Sequence, residues 1–159
     1  MTDTLFFRAM SLEDLDRIMV VEQASFTVPW SRDAFTLELT QNHFAKYLVA
    51  LSGEDVIGYA GMWVILDEAH ITNIAILPDC RGRKYGEMLM REMIALAMAH
   101  GADRMTLEVR VSNTPAQKLY EKLGFESHGV RKGYYTDNNE DALIMWAELP
   151  RMEPARGLE

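Results

Sequence analysis

Between Ile74 and Gly86 a strand runs out, an arginine- and glycine-rich loop follows, and a helix begins: Ile74-Ala75-Ile76-Leu77-Pro78-Asp79-Cys80-Arg81-Gly82-Arg83-Lys84-Tyr85-Gly86. Tyr85, Met88, Leu89, Met93, Leu96 and Ala97 then recur at helical spacing up to Gly101, a glycine placed to cap the helix C-terminus. The alternating segment Arg104–Val111 follows at once, with Met105, Leu107, Val109 and Val111 on one face and Thr106, Glu108 and Arg110 on the other. A helix set between strands in this way calls for a mixed α/β sheet rather than an all-β or all-α fold.

The rest of the chain extends that frame. Leu5–Met10 reads as a strand, and Ser11-Leu12-Glu13-Asp14 resembles a capping box ahead of a helix reaching Ser25. A second helix starts after Pro29-Trp30 with Ser31 as its cap. Ala45–Leu51, Val56–Leu66 and Glu68–Leu77 read as successive strands, turned at Ser52–Asp55 and at Asp67. Thr114-Pro115-Ala116-Gln117 predicts a short helix capped by Thr114 and ending at Gly124. Phe125–Tyr134 and Asp141–Leu149 pair across the turn Thr136–Asn139. The expected order is β-α-α-β-β-β-α-β-α-β-β, one domain over residues 1–150 with a flexible tail over 151–159.

Composition narrows the function. Sixteen Lys and Arg against 24 Asp and Glu give a net charge of −8 in 159 residues. That disfavours a phosphate-backbone binder, whose affinity comes from Lys and Arg displacing counterions, so no direct nucleic-acid binding is expected. One cysteine, Cys80, makes no internal disulfide and argues against a secreted, stapled scaffold. The N-terminal segment lacks a basic region leading into an apolar run, and no stretch reaches the roughly 18 apolar residues of a membrane span. The expected location is the cytoplasm, away from membranes. His43, His70, His100 and His128 are scattered without metal-ligand spacing, so no metal is expected. The methionines Met88, Met90, Met93 and Met98 of the central helix read as core filler.

The chemistry concentrates in the loop. Unpaired N–H groups at a helix start, aided by the helix dipole, bind anions. Arg81, Arg83 and Lys84 add three cations within four residues of an otherwise acidic chain. A phosphate or pyrophosphate is the expected ligand, although neither GxxxxGK[ST] nor GxGxxG is present. Elsewhere the residues alone leave alternatives open. Glu108 reads as a solvated strand glutamate or a site carboxylate, Tyr120 as a core or a site tyrosine, and Asn113 as a turn former or a ligand contact. Phe26 and Trp30 either line a groove or staple two helices to the sheet.

The loop resembles the acetyl-CoA motif of the GNAT N-acetyltransferases, Q/R-x-x-G-x-G/A. Arg81 and Gly86 match it, and Lys84 stands where the middle glycine normally sits. The similarity spans residues 5–149. Phe26, Pro29-Trp30-Ser31, Asn73-Ile74-Ala75-Ile76, Leu107-Glu108-Val109-Arg110, Asn113, Leu119-Tyr120-Glu121-Lys122-Leu123-Gly124-Phe125 and Tyr134-Tyr135 follow one another as in the ribosomal-protein-alanine N-acetyltransferases. The resemblance implies the GNAT fold, a mixed and mostly antiparallel sheet flanked by helices. It also implies acetyl-CoA as acetyl donor and direct transfer to the N-terminal amine, alanine, of a small-subunit ribosomal protein. By resemblance Glu108 is the general base and Tyr120 the general acid. Ile74, Ala75, Ile76, Arg81, Gly82, Arg83, Lys84, Tyr85, Gly86 and Asn113 hold the cofactor, and Phe26, Trp30 and Tyr134 meet the acceptor. The competing expectations are acetylation of a small amine and a non-catalytic acyl-CoA-binding regulator. Glu22, Glu38, Asp67, Glu68, Asp137, Glu140 and Asp141 are expected to border the acceptor groove and to steer a basic peptide. The oligomeric state stays open.

Overall fold

A computed structural model describes residues 4–150, so the tail expected at 151–159 lies outside the described residues. The elements are β1 (Leu5–Ala9), α1 (Leu15–Ser25), α2 (Arg32–Gln41), β2 (Ala45–Ser52), β3 (Asp55–Ile65), β4 (Glu68–Ile76), α3 (Tyr85–Ala99), β5 (Arg104–Arg110), α4 (Thr114–Lys122), β6 (Glu126–Tyr135) and β7 (Glu140–Glu148). Their order is the one read from the sequence. They form a seven-stranded sheet in the order β1-β2-β3-β4-β5-β7-β6. The β1–β2, β2–β3, β5–β7 and β6–β7 ladders are antiparallel. β4 and β5 run parallel, with Glu68, Ala69 and His70 opposite Arg104, Met105 and Thr106. No helix among the described residues is long and apolar enough to cross a membrane.

The helix starts follow from local chemistry. Asp14 Oδ2 accepts the Ser11 backbone N–H at 2.8 Å, and the same carboxylate pairs with Arg8 at 2.8 Å. Ser31 Oγ accepts the Ala34 N–H at 3.1 Å and caps α2. One cap differs from expectation. Asn113, not Thr114, caps α4, with its side-chain oxygen accepting the Ala116 N–H at 3.2 Å. Thr114 is therefore the first helical residue and Pro115 the second, where proline's missing N–H costs nothing.

The described residues divide into two compact units, 4–63 with 71–93, and 64–70 with 94–150. The first has its core around Phe35, fully buried, with the rings of Trp30, Tyr59 and Tyr47 at 5.4, 5.5 and 6.4 Å. Ile18 and Val21 of α1 and Val49 of β2 belong to the same apolar cluster. Burying each large side chain of this kind contributes about 1.5–3 kcal/mol. Gly58 on β3 makes room for the end of β4, because a Cβ there would stand 2.6 Å from the Ala75 carbonyl oxygen. In the second unit Met105 and Leu107 of β5, Met145 of β7 and Phe125 are buried. Thr106 is buried as well, its hydroxyl donating to the Met145 carbonyl at 2.9 Å. β5 is thus covered on both faces, more completely than its alternation suggested.

Candidate active site

In the first unit, β4 ends in Ile74, half-buried, and Ala75 and Ile76, both buried. Arg81 folds back to donate from Nε to the Ile76 carbonyl at 3.2 Å and so closes the base of the basic loop. Arg81, Gly82, Arg83 and Lys84 are exposed, Tyr85 is buried and Gly86 half-buried. Gly82 (φ +81°) and Lys84 (φ +64°) both take the left-handed conformation and turn the chain into α3, whose first bond runs from Met88 N–H to the Lys84 carbonyl at 3.1 Å. Nothing lies within 4 Å of where a Cβ on Gly82 would be. An exposed, cationic backbone turn at the start of a 15-residue helix fits a pyrophosphate. Lys84 achieves with an L side chain what glycine does at less cost, a strain of about 1–2 kcal/mol.

The acceptor candidates of this unit divide. Trp30 packs on Phe35 and serves the core, whereas Phe26, just past the end of α1, keeps 38% exposure. The acid Glu22, expected at the border of the acceptor groove, is enclosed in this unit. Glu22 is buried, accepts the Trp30 backbone N–H at 2.8 Å and accepts the Tyr59 hydroxyl, which itself accepts from Asn73 Nδ2 at 3.1 Å. Burial pushes the Glu22 carboxyl above its usual range, and its two hydrogen bonds only partly oppose this.

In the second unit, Glu108 points off β5 with only 7% of its side chain exposed, so it is no solvated surface glutamate. His70 Nε2 lies 2.8 and 3.1 Å from its two oxygens, and the Tyr134 hydroxyl donates to Oε1 at 3.2 Å. Burial raises the carboxyl, but the His70 hydrogen bond and charge, the Tyr134 hydroxyl and the charge of Arg131 outweigh it and hold Glu108 below its ordinary value. His70 was not foreseen. The available signal was topological: it stands opposite Thr106 in the parallel register, and Glu108 is two residues further along the same face of β5. Tyr134 is aimed by the irregular β6 ladder, in which Gly133 takes φ +62° and donates its N–H to Asp141 Oδ1 at 2.9 Å. Tyr120 on α4 is buried against Phe125, ring centroids 5.8 Å apart. Burial pushes its hydroxyl up to about 12, so it stays protonated at neutral pH. Asn113 is exposed and its side-chain oxygen is committed to the α4 cap.

The seven acids expected to steer a basic peptide all have partners within the protein. Besides Glu22, Glu38 accepts from Asn42, Tyr47 and Trp63 at 2.8, 2.8 and 2.7 Å. Asp67 and Glu68 pair with Arg104 at 3.7 and 3.1 Å, Asp137 and Glu140 with Arg110 at 2.8 and 3.2 Å, and Asp141 with the Gly133 backbone. Neutral donors hold Glu22, Glu38 and Asp141, and Arg104 and Arg110 are each shared by two carboxylates, so these contacts fix the acids without cancelling their charge.

A strand that ends in a cationic helix start, a held carboxylate on β5 and a protonated tyrosine on α4 are the parts an acyl transfer to an amine requires. The family model of the Acetyltransferase (GNAT) family matches residues 15–125, and the chain belongs to that family. Among its relatives is a Haemophilus ducreyi [ribosomal protein bS18]-alanine N-acetyltransferase, 38% identical over 84% of this chain and 92% of its own. A Bacillus subtilis (strain 168) relative, whose name assigns it the same activity provisionally, is 51% identical over 89% of this chain and 94% of its own. The crystal structure of the ribosomal-protein-S18-alanine N-acetyltransferase from Escherichia coli matches 96% of this chain and 98% of that one, with a TM-score of 0.85 and 31% identity.

Proposed function

We propose that this protein is an acetyl-CoA-dependent N-acetyltransferase that acts on the N-terminal alanine of a small-subunit ribosomal protein. The relatives that carry this activity in their names align over nearly the whole chain, and the hold of His70 and Tyr134 on Glu108 is the observation that carries the chemistry. The two units constitute one transferase domain in this reading, since the family match covers parts of both. The Arg81–Gly86 loop and the backbone of Ile74–Ile76 bind the acetyl-CoA substrate, and Asn113 contacts it beside the α4 cap.

Glu108 takes a proton from the acceptor amine, directly or through one water. The amine, which titrates near about 7.7–8.0, loses little free energy in giving it up at neutral pH. The amine nitrogen then bonds to the thioester carbonyl carbon and gives up its second proton as the carbon–sulfur bond breaks; Tyr120 gives its proton to the departing thiolate and is reprotonated, through water, by the one the nitrogen releases. No covalent enzyme intermediate is needed. Phe26 and Tyr134 are the exposed aromatic groups for the acceptor, with Trp30 holding Phe26's loop in place. A basic acceptor is supported by the overall charge of −8. Such an acceptor places the reaction in the cytoplasm.

The test is thiol release from acetyl-CoA with an alanine-initiated peptide of the ribosomal protein, the product mapped by mass spectrometry. Acetyl on the α-amine is the expected result. Turnover of free small amines alone, or binding of acetyl-CoA without turnover of any amine, overturns the reading.

A further inference from the structure

We infer that His70 is a positioning residue for acetyl transfer, acting through Glu108 by fixing both oxygens of that carboxylate. The inference rests on the reading of Glu108 as the base. The imidazole donates to the carboxylate in either of its states, as a cation or as the neutral ring with its proton on Nε2. The hold on Glu108 therefore needs no particular charge on the ring. His70 is itself anchored by the parallel pairing of β4 with β5, and its side chain keeps 37% exposure against 7% for Glu108. The buried carboxylate thus owes much of its ionised state to a neighbour that water reaches.

Three strands supply the groups that face Glu108. β4 presents His70, β6 presents Tyr134 and the charge of Arg131, and β7 places the apolar Ile144 opposite it. Tyr135, next to Tyr134 at 5.1 Å, feels the Glu108 charge and is itself under the Arg110 guanidinium, 4.0 Å from its ring. Tyr134 is a neutral donor to one oxygen and Arg131 acts through its charge, so neither substitutes for the two-oxygen contact of His70. With His70 gone, burial acts on Glu108 with less opposition and the carboxyl takes up its proton at higher pH.

The experiment compares wild type, His70→Ala, His70→Gln, Glu108→Gln and the double variant His70→Ala/Glu108→Gln in the full chain. His70→Ala is expected to lower kcat about 10–100-fold, leave KM for acetyl-CoA unchanged and move the acidic limb of kcat/KM to higher pH by about one unit. His70→Gln, which keeps a neutral donor near the Nε2 position, recovers part of kcat and less of the pH limb. The double variant falls no further than Glu108→Gln alone. An acidic limb that stays in place, or losses that multiply in the double variant, overturns the inference while leaving Glu108 as the base. Full activity in Glu108→Gln overturns the base reading and the inference with it. Carboxyl NMR titration of Glu108 in His70→Ala reads the same contact without turnover, and an unmoved Glu108 also sinks it.

Discussion

Glu22 and Glu108 are both enclosed carboxylates that accept a tyrosine hydroxyl, and they behave in opposite ways. Glu22, in the first unit, is held by Tyr59 and by the Trp30 N–H, both neutral, and burial raises it. Glu108, in the second, is subject to the same upward push but has His70 in contact and Arg131 nearby, and it is lowered. Depth of burial therefore does not mark the base. The His70 contact and the Arg131 charge hold one carboxylate below its ordinary value, and two neutral donors leave the other a strut that fixes the Phe26–Trp30 loop to β3.

The largest expected effect separates the two by rate. Glu108→Gln should cost about 10²–10⁴ in kcat and recover partly as pH rises and the amine deprotonates unaided. Tyr120→Phe, which loses a donor rather than an acceptor, should show no such recovery. Glu22→Gln should leave the pH profile of kcat in place and act through KM for the acceptor peptide. A pH-rescued loss in Glu22→Gln of the size seen for Glu108→Gln would erase the distinction.

A smaller effect separates them by stability. Glu22 is raised in the folded state, so the unfolded chain ionises first and stability falls as pH climbs from about 4.5 toward the folded value. Glu108 is lowered, so its contribution is complete above pH 4.5 and is lost as pH falls through the folded value. Denaturant midpoints measured from about pH 3.5 to about pH 7 should therefore show Glu22→Gln gaining on wild type as pH rises and Glu108→Gln losing. Tyr59→Phe, which leaves Glu22 one donor short, should cost about 1–3 kcal/mol. Parallel slopes for the two glutamine variants would show that their environments do not differ.

The smallest effect shows where the first unit stores strain. Lys84, at φ +64°, holds a conformation that glycine adopts freely. Lys84→Gly should stabilise the protein by about 1 kcal/mol, a rise of about 2–4 °C in Tm, with acetyl-CoA binding retained. Loss of binding in that variant would show that the ammonium, rather than the backbone turn, holds the ligand.

Much of this architecture is legible without coordinates. The helix periodicity of Tyr85–Ala97, the alternation of Arg104–Val111 and the punctuation by Gly101 and Gly124 are local signals, and the element order read from them matches the structure. The basic loop was visible because an anion site at a helix start is made by contiguous residues. The α4 cap was misplaced by one residue because Asn113 and Thr114 are both good caps, and only the backbone turn decides which side chain reaches Ala116.

What the sequence by itself determined is everything carried by neighbours along the chain: the elements, their order, the cationic loop and the identity of the groups available for chemistry. What only the tertiary structure decided is the environment of each carboxylate. His70 and Glu108 are 38 residues apart, and Glu22 and Tyr59 are 37 apart. Pairing across such distances depends on strand register and helix packing, and a carboxyl's protonation depends on the charges and water within a few ångströms of it, whichever part of the chain supplies them. For the same reason only the fold shows that Asp67 and Glu68 share Arg104 and that Asp137 and Glu140 share Arg110.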